Sequence, residues 1–526
     1  MAAKLRKDAG LIGLLFAGVG GMIGSGWLLG PFNAAQEAGP LSIGSWAIAA
    51  VVVLLLALVY AELAPMFPRS GGLVHICHVS HGDLLGRIWT WILFLAYVTI
   101  PPVETMAVVS YANNYLPGLV HSNGLLTAPG FFVCLVLLAF MIGFNFLAVK
   151  VVLAINTVAT WIKLLTPIGT IVVFLLLSHH TGNLAVPHNV GSAGMFTAVS
   201  TAGVFFALFG FRQAIDLAGE TDNPGRNLPI AVLGTIIIGA AVFIVLQYAF
   251  VTAIPHGDIA KAGWAGLSYK GASGPFAGLA VILGASWWAA VLYADALISP
   301  GVCGFIWSTT TSRVVMAAGE TGTTPKITAR LNGNGVPWVA LLVTYAIGVI
   351  FFLPFPSWQK MVSYASAATV LSYGIGPIVL LKMRKDVPQS RHRSFRLPWP
   401  YLFAPLAFIA SNFVIFWAGF ATVDFMFILL LAVFILYTAY YYVIKRGDGT
   451  GMEWQHVWWL APYFGGMWAL SYLGPAKMGG VGMLPIYWDM AVVAAFSLFI
   501  IWLALRVAVS TETAVEYYEN EILAES

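Results

Sequence analysis

Long apolar runs, separated by short polar or Pro- and Gly-rich segments, occupy nearly the whole chain of 526 residues. A helix needs roughly 20 apolar residues to cross the hydrocarbon layer of a membrane, and runs of about that length recur throughout. Lipid offers no hydrogen-bond partner to an open backbone, so each run is expected to be helical. The pattern therefore predicts an all-α integral membrane protein with about 14 transmembrane helices.

Charges, prolines and glycine clusters mark the ends of the predicted spans. The spans cover residues 11–37, 42–66, 88–116, 128–148, 153–178, 194–221, 228–252, 276–312, 336–355, 359–383, 399–421, 424–445, 456–474 and 484–507. The eighth run is too long for one perpendicular span, so we expect it to be tilted or broken. The thirteenth gives the weakest signal because it is short and contains Pro462 and Gly465-Gly466.

Positive charge is distributed very unevenly between the two sides of the predicted membrane. With the N-terminus placed inside, 19 of the 25 Lys and Arg residues fall on the inner side and 4 on the outer side. The remaining two, Lys163 and Arg212, lie within spans. This bias predicts that both termini are cytoplasmic, that the number of spans is even, and that the protein lies in the inner cell membrane.

Composition supports a protein surrounded by lipid. Sixty per cent of the residues are hydrophobic and 9% are charged, against about 25% charged residues in soluble domains. The net charge of +4 resides mainly in short loops and does not indicate a nucleic-acid partner. Cys77, Cys134 and Cys303 are scattered, so neither a disulfide framework nor a metal site is expected, and no cofactor is indicated.

A glycine cluster interrupts the first span. The segment from Gly18 to Gly26 contains five glycines, and each weakens a helix. Unwinding at Gly24, Ser25 and Gly26 would free N–H groups at the positive end of a second half-helix, forming a site for a carboxylate without a cationic side chain. Close packing through small residues is the alternative. The density of glycines favours the broken helix.

A second candidate break lies in the sixth span, at Phe209-Gly210-Phe211-Arg212-Gln213. Interrupted helices at matching positions of two repeats indicate a transporter binding site near the midplane. We therefore predict a transport core at 11–383, with helices 1–5 and 6–10 as a five-plus-five inverted repeat. Flanking it would be a cytoplasmic N-terminus at 1–10, accessory helices 11–14 at 399–507, and an acidic tail at 508–526.

The tail is acidic, and Glu512, Glu516 and Glu519 share one helical face. A solvated cytoplasmic helix is the favoured interpretation, and a docking segment the alternative.

Gly24-Ser25-Gly26 resembles the Gly-Ser-Gly signature of the amino acid–polyamine–organocation (APC) transporter family. Three further segments are similar to stretches of that family, and together they span roughly residues 10–440. They are 60–72 at the end of span 2, 145–163 across spans 4 and 5, and 223–229 after span 6. The resemblance implies the inverted-repeat fold shared with LeuT-type transporters, and an amino acid or related amine as substrate.

The same resemblance implies roles for individual residues. The amides of Gly24 to Gly26 would bind the substrate carboxylate, and carbonyls around Phe209 and Gly210 would bind its ammonium group. Lys163 matches a lysine that, in proton-coupled members, stands near the sodium site of sodium-coupled relatives. Many members have Gly-Phe-Glu at the second break, where this chain has an arginine after Phe211, so the family's substrate preference does not carry over directly.

Arg212 therefore has two interpretations. Its guanidinium could bind a side-chain carboxylate of the substrate, which predicts aspartate or glutamate. Alternatively it pairs internally with Asp216 or Glu104, which leaves neutral amino acids as the runner-up. Phe209 and Phe211 flank the break and either cap the substrate or pack.

Charged residues within a span usually have a partner or face water, because an ionisable group at mid-bilayer costs at least about 2.5 kcal/mol. Lys163 either carries the coupling proton or forms a static ion pair with span 1 or 8. Glu104 and Asp295 are either proton sites or structural partners. Ser299-Pro300-Gly301 follows Asp295, so span 8 is expected to open locally there.

Two other functional classes fit less well. His75, His78 and His81 lie near Cys77, but no second cluster completes a metal site, so a metalloenzyme is not indicated. A channel would show repeated rings of carbonyls or charges, whereas two differently shaped breaks suit one occluded substrate better. We expect a proton-coupled amino acid permease and not an enzyme, with symport or exchange and the oligomeric state left open.

Overall fold

The computed structural model describes residues 9–121, 124–147, 149–269, 274–353, 357–387, 393–444, 452–485 and 487–525. The regular elements within these ranges are helices, and no strand occurs among them. Ten of the described helices are long and apolar enough to cross a membrane, or eleven if one bent pair is a single span. The predicted class, an all-α integral membrane protein, agrees with this architecture. Most of the predicted N-terminal segment, 1–8, lies outside the described residues.

The α-helices are numbered along the chain. Those up to the fifth predicted span are α1 Leu11–Met22, α2 Ser25–Ala38, α3 Ser42–Leu63, α4 Leu73–Ile76, α5 His78–Val98, α6 Ile100–Ala112, α7 Ala128–Gly143 and α8 Val149–Leu177. Those up to the tenth are α9 Ser192–Thr201, α10 Val204–Ala207, α11 Arg212–Asp216, α12 Pro224–Ala253, α13 His256–Ala262, α14 Pro275–Ile282, α15 Ser286–Glu320, α16 Trp338–Phe351, α17 Trp358–Gly374 and α18 Gly376–Asp386. The remaining helices are α19 Pro400–Trp417, α20 Phe420–Ile444, α21 Leu460–Leu473, α22 Trp488–Val507 and α23 Thr511–Glu525.

The first span is interrupted where the glycine cluster predicts. Helix α1 ends at Met22 and α2 begins at Ser25. Between them, Ile23 has φ −85° and ψ 82°, and Gly24 has φ −121° and ψ −140°. Neither residue is helical, so the chain crosses the core as two half-helices.

The sixth span is also broken, and its α-helix is interrupted at the predicted position, but its sharp bend lies earlier in the chain. The segments Ser192–Thr201 and Val204–Asp216 are bent by 49°. The bend lies at Gly203, whose φ of +89° is one that glycine adopts readily and side chains oppose. Residues Phe209–Phe211, where the break was expected, form a single 3-10 turn. Gly203, which has a left-handed backbone, therefore bends the span more sharply than Gly210, where the sequence predicted the break.

Small residues allow the two interrupted spans to cross in contact. A Cβ on Gly210 would lie 2.0 Å from the carbonyl oxygen of Gly18. A Cβ on Gly26 would lie 2.7 Å from the Cβ of Ala207. Backbone thus meets backbone at the crossing, which brings both irregular segments into one buried region.

The eighth predicted span is divided, as its length suggested, into α14 and α15. The expected opening near Pro300 is wrong, because α15 runs through this proline from Ser286 to Glu320. Prolines are tolerated in membrane helices where neighbouring groups satisfy the freed carbonyls. Next to this proline, the Ser299 hydroxyl donates to Asp295 at 2.7 Å.

Segments near both described chain ends lie on one face of the bundle. The N–H of Ala9 donates to the carbonyl of Glu220 at 2.8 Å. The ammonium group of Lys382 donates to the carbonyl of Val509 at 2.6 Å.

Helix α23 docks against this face. Glu521 contacts Arg69 at 2.6 Å, His75 at 3.5 Å and His78 at 3.4 Å. The ring of Tyr518 packs on Phe67 with centroids 5.4 Å apart. A fully solvated helix is therefore wrong for this side of the tail. The predicted acidic face is nevertheless exposed and consists of Glu512, Glu516 and Glu519.

The docked carboxylate is strongly ionised. Burial opposes ionisation of Glu521, but the nearby basic groups of His75, His78 and Arg69 outweigh it and lower its pKa from 4.5 to about 2. Because the pKa is depressed in the docked state, the stabilisation is complete above pH 4.5 and is lost as the pH falls from 4.5 towards 2.

We predict that Glu521→Gln loosens helix α23 at neutral pH, because an amide cannot satisfy three basic partners. Hydrogen exchange of the backbone amides between 511 and 523 should accelerate, with the transmembrane helices unchanged. Glu519→Gln, at an exposed position of the same helix, is the matched control and should behave as the wild type. Equal exchange rates in both variants would contradict an electrostatic anchor.

Candidate functional site

The backbone N–H of Ser25, at the start of α2, is buried and has no acceptor within its own helix. An acidic side chain from another helix accepts its hydrogen bond. The N–H of Ser25 donates to Oε2 of Glu104, on α6, at 2.7 Å. The Ser25 hydroxyl accepts a hydrogen bond from the Trp358 indole at 2.9 Å. Ser25 and Glu104 have no exposed surface. The positive end of a half-helix therefore holds a carboxylate, as the glycine cluster predicts, but the carboxylate is the protein's own.

The end of α1 presents the opposite polarity. The carbonyl of Gly20 accepts a hydrogen bond from the Lys163 ammonium group, on α8, at 2.5 Å. The carbonyl of Gly21 accepts from Trp307 at 2.9 Å and from the Cys303 thiol at 3.3 Å. Side chains from α8 and α15 thus satisfy carbonyls that have no partner within the helix.

Arg212 lies in a cage of aromatic rings. Its guanidinium carbon is 4.2 Å from the ring centre of Tyr97, 4.6 Å from Trp307, 4.9 Å from Tyr373 and 5.1 Å from Phe209. The side chain is fully buried, and none of its three nitrogens makes a hydrogen bond within the described residues. Rings stabilise a cation, but they do not replace hydrogen-bond acceptors.

Neither predicted internal partner of Arg212 forms an ion pair with it in the described part of the chain. Glu104 is bound to Ser25 instead. Asp216 accepts a hydrogen bond from the Tyr97 hydroxyl at 2.6 Å, and its other oxygen is unpartnered. Arg212 therefore remains available to an anion from outside the chain.

The three residues predicted to couple protons come from three different helices. The charge of Lys163 interacts with those of Glu104 and Asp295. Asp295 accepts a hydrogen bond from Ser299 through one oxygen and leaves the other unpartnered. The static pair expected for Lys163 with span 1 is, in this structure, a hydrogen bond to a backbone carbonyl.

The two predicted phenylalanines differ in their surroundings. Phe209 packs edge-on against Phe205, with centroids 4.9 Å apart, and is one wall of the arginine cage. Phe211 packs against Tyr373 at 5.5 Å and is a core residue. Gly210, between them, contacts the backbone of α1 at Gly18.

Ion pairs close the face that carries the chain ends. Arg313 on α15 contacts Glu220 at 3.0 Å, and the Ser70 hydroxyl donates to the same carboxylate at 3.5 Å. Glu62, near the end of α3, binds Arg384 at 2.6 Å and Arg393 at 3.1 Å. The contact of Ser70 with Glu220 joins the first predicted repeat to the second.

Sequence reasoning did not find four aromatic residues of the site, namely Tyr97, Trp307, Trp358 and Tyr373. They lie in three different spans, and none belongs to a motif. In a chain with 19 Trp, 20 Tyr and 34 Phe, aromatic composition gives no signal that singles them out. Only the packing of α5, α15 and α17 around the breaks brings them together.

A profile of the family described as amino acid permease matches residues 10–444. The chain belongs to the amino acid permease family. The match covers both breaks and the residues around them, and the APC resemblance of the sequence is confirmed.

Two curated relatives match almost end to end. The chain is 36% identical over 523 residues to the glutamate/serine transporter AimA of Bacillus subtilis, covering 97% of this chain and 95% of the relative. It is 34% identical over 506 residues to an aspartate-proton symporter of the same species, covering 95% and 96%. A branched-chain amino acid permease, BcaP of B. subtilis, is 26% identical over 460 residues, covering 83% and 93%.

We predict that Gly26→Ala forces the two breaks apart and reduces both thermal stability and transport. The added Cβ would lie 2.7 Å from Ala207, in a crossing where backbone limits relaxation. Overpacking of this kind costs about 1–3 kcal/mol. The measurement is the melting temperature in detergent, together with uptake by reconstituted protein.

Gly301→Ala is the matched control, because nothing lies within 4 Å of the position that its added methyl group would take on α15. This variant should retain wild-type stability. A wild-type melting temperature and uptake for Gly26→Ala would contradict a close crossing.

Proposed function

We propose that this permease takes up acidic amino acids, aspartate or glutamate, together with protons. The observation that carries the proposal is Arg212, a buried guanidinium whose nitrogens make no hydrogen bond in the described structure. A buried cation without an acceptor is costly, and a carboxylate offers two oxygens in the geometry of its fork. The names of two nearly full-length relatives, a glutamate/serine transporter and an aspartate-proton symporter, support the same substrate class.

The position of Arg212 suits the side chain of a bound amino acid. Trp307 stacks against the guanidinium at 4.6 Å and donates to the carbonyl of Gly21 at 2.9 Å. The indole of Trp307 therefore lies between Arg212 and the broken first span. An amino acid whose α-carboxylate is held by the amides of Gly24, Ser25 and Gly26 would direct its side-chain carboxylate into the cage.

The remaining backbone contacts follow the family pattern. Carbonyls around Phe209 and Gly210 would accept the substrate ammonium group, and Phe209 would cover the side chain. The transport core would comprise residues 11–383 as a five-plus-five inverted repeat, and 399–507 would add four accessory helices to a total of fourteen. Both termini would face the cytoplasm of a cell whose inner membrane contains the protein.

Proton coupling would involve Lys163, Glu104 and Asp295. Lys163 binds the carbonyl at the end of α1, so its protonation state is linked to the geometry of the break. Separation of the Arg313–Glu220 contact would open the inner side while the core rearranges around the site.

Uptake into liposomes containing the purified protein tests the substrate class. With an imposed pH gradient, unlabelled aspartate and glutamate should compete with a labelled acidic substrate far better than neutral amino acids do. Indifference to both acids would contradict the proposal, and competition by serine alone would favour a small neutral substrate, consistent with the second substrate in one relative's name.

Arg212→Gln should abolish the preference for acidic substrates. Each hydrogen bond to a charged group contributes about 1.5–3 kcal/mol, so the apparent affinity for aspartate or glutamate should fall at least about tenfold. Arg212→Lys should restore it only in part, since an ammonium group lacks the planar fork. Competition assays measure the change.

Arg506→Gln is the matched control for Arg212. Arg506 also lies over an aromatic ring, Trp502, at 5.2 Å, but it is exposed. It belongs to α22, outside the predicted transport core at 11–383. This variant should keep wild-type selectivity. Equal losses in both variants would show that the effect is not specific to the cage.

Lys163→Ala should lose accumulation driven by a pH gradient, because the ammonium group that binds the carbonyl at the end of α1 would be absent. Exchange of external for internal substrate should persist. Lys261→Ala, at an exposed position on α13, serves as the control. Full accumulation by Lys163→Ala, driven by pH alone, would exclude Lys163 as the coupling residue.

A further inference from the structure

The two ends of the helix break are occupied by charges of opposite sign. At the positive end, Glu104 accepts the Ser25 N–H at 2.7 Å. At the negative end, Lys163 donates to the Gly20 carbonyl at 2.5 Å. A zwitterionic amino acid bound at a broken helix would make the same two contacts: its carboxylate would accept from backbone N–H groups, and its ammonium group would donate to backbone carbonyls. The protein's own side chains thus reproduce the charged ends of an amino acid.

Glycine at position 24 makes this arrangement possible. A Cβ there would lie 2.6 Å from Oε1 of Glu104 and 2.6 Å from Sγ of Cys303. The absent side chain leaves room for a carboxylate directly beside the unwound backbone. Glu104 occupies that room from α6, next to the place where the substrate carboxylate is proposed to bind.

We propose that Glu104 is an internal competitor of the substrate α-carboxylate, and that substrate binds only after a proton neutralises Glu104 and frees the Ser25 amide. This inference rests on the proposed function. A single N–H cannot hold two carboxylates, and two negative charges beside it would repel each other. The two acids therefore exclude one another until one of them is neutral.

The proton balance is one for each substrate molecule. A proton from the outer solution forms an O–H bond on Glu104, and the hydrogen bond from Ser25 to this side chain breaks. The substrate carboxylate then accepts the Ser25 N–H. After the inner side opens, Glu104 releases the proton to the cytoplasm, takes back the amide and displaces the substrate.

The surroundings of Glu104 suit this exchange. Its Oε2 accepts the Ser25 amide, whereas Oε1 makes no hydrogen bond in the described structure and can take the proton. The titratable groups facing it are Lys163 from α8 and Cys303 from α15, and Asp295 in turn faces Lys163. The Cys303 thiol, next to the carboxylate, donates to the Gly21 carbonyl at 3.3 Å.

Substrate affinity as a function of pH tests the proposal. In wild-type protein, affinity should fall by up to about tenfold per pH unit on the alkaline side, as expected for one linked proton. Glu104→Gln should bind the same amino acid with an affinity that does not change with pH. This variant should exchange substrate across liposomes but should not accumulate it in a pH gradient.

A second variant and a direct readout separate competition from a structural role. Glu104→Asp keeps a titrating carboxyl group and should keep pH-dependent binding even if its affinity is lower. Infrared difference spectra of the wild type should show a protonated carboxyl band on substrate binding that is absent in Glu104→Gln. Asp424→Asn alters a carboxylate bonded to Trp468 on the accessory helices and should match the wild type in both measurements.

The outcomes are distinguishable. Wild-type pH dependence in Glu104→Gln, or substrate binding without proton uptake, would overturn the inference and leave the proposed function intact. Absence of binding by any amino acid to the wild type would overturn the proposed function, and the inference with it.

Discussion

The structure depends on how the backbone N–H and C=O groups at the break in the first span find hydrogen-bond partners within the membrane. Between Met22 and Ser25 the chain is not helical, so amides on one side and carbonyls on the other have no partner within a helix. Such groups are tolerated at membrane depth only where protein or water satisfies them. Here Glu104, Lys163 and Trp307 do so, from three surrounding helices. The break therefore requires charged and polar partners from other helices, and it is the same segment that we propose to bind the two charged ends of an amino acid.

The same requirement explains the distribution of charge in the core. Charges that complete the break are bonded to backbone, whereas Arg212 is surrounded by rings and makes no hydrogen bond in the described structure. Aromatic rings stabilise a buried guanidinium, but its N–H groups still lack hydrogen-bond acceptors. In the proposed function, Arg212 therefore discriminates between substrates, while the backbone of α1 and α2 binds the groups that all amino acids share.

Contacts on the face near the chain ends tie distant parts of the sequence together. Arg313 contacts Glu220, and Glu521 on α23 contacts Arg69 in the segment after α3. Gly71, in that segment, donates its N–H to the carbonyl of Asp216 at 3.0 Å, beside the arginine cage. Direct contacts therefore connect the segment after α3 both to the region beside the arginine cage and to the C-terminal helix.

Sequence alone determined the membrane class, the family and the first break, because each is a local property. Apolar length indicates a span, and a glycine cluster indicates a point where a helix ends. It did not predict the sharp bend of the sixth span at Gly203, because the left-handed backbone of this glycine is selected only by packing. Tertiary structure also decided that Glu104 binds Ser25 and that Arg212 lies among Tyr97, Trp307 and Tyr373. These contacts join residues far apart in the chain, and their free energy depends on distance and burial, which no local pattern encodes.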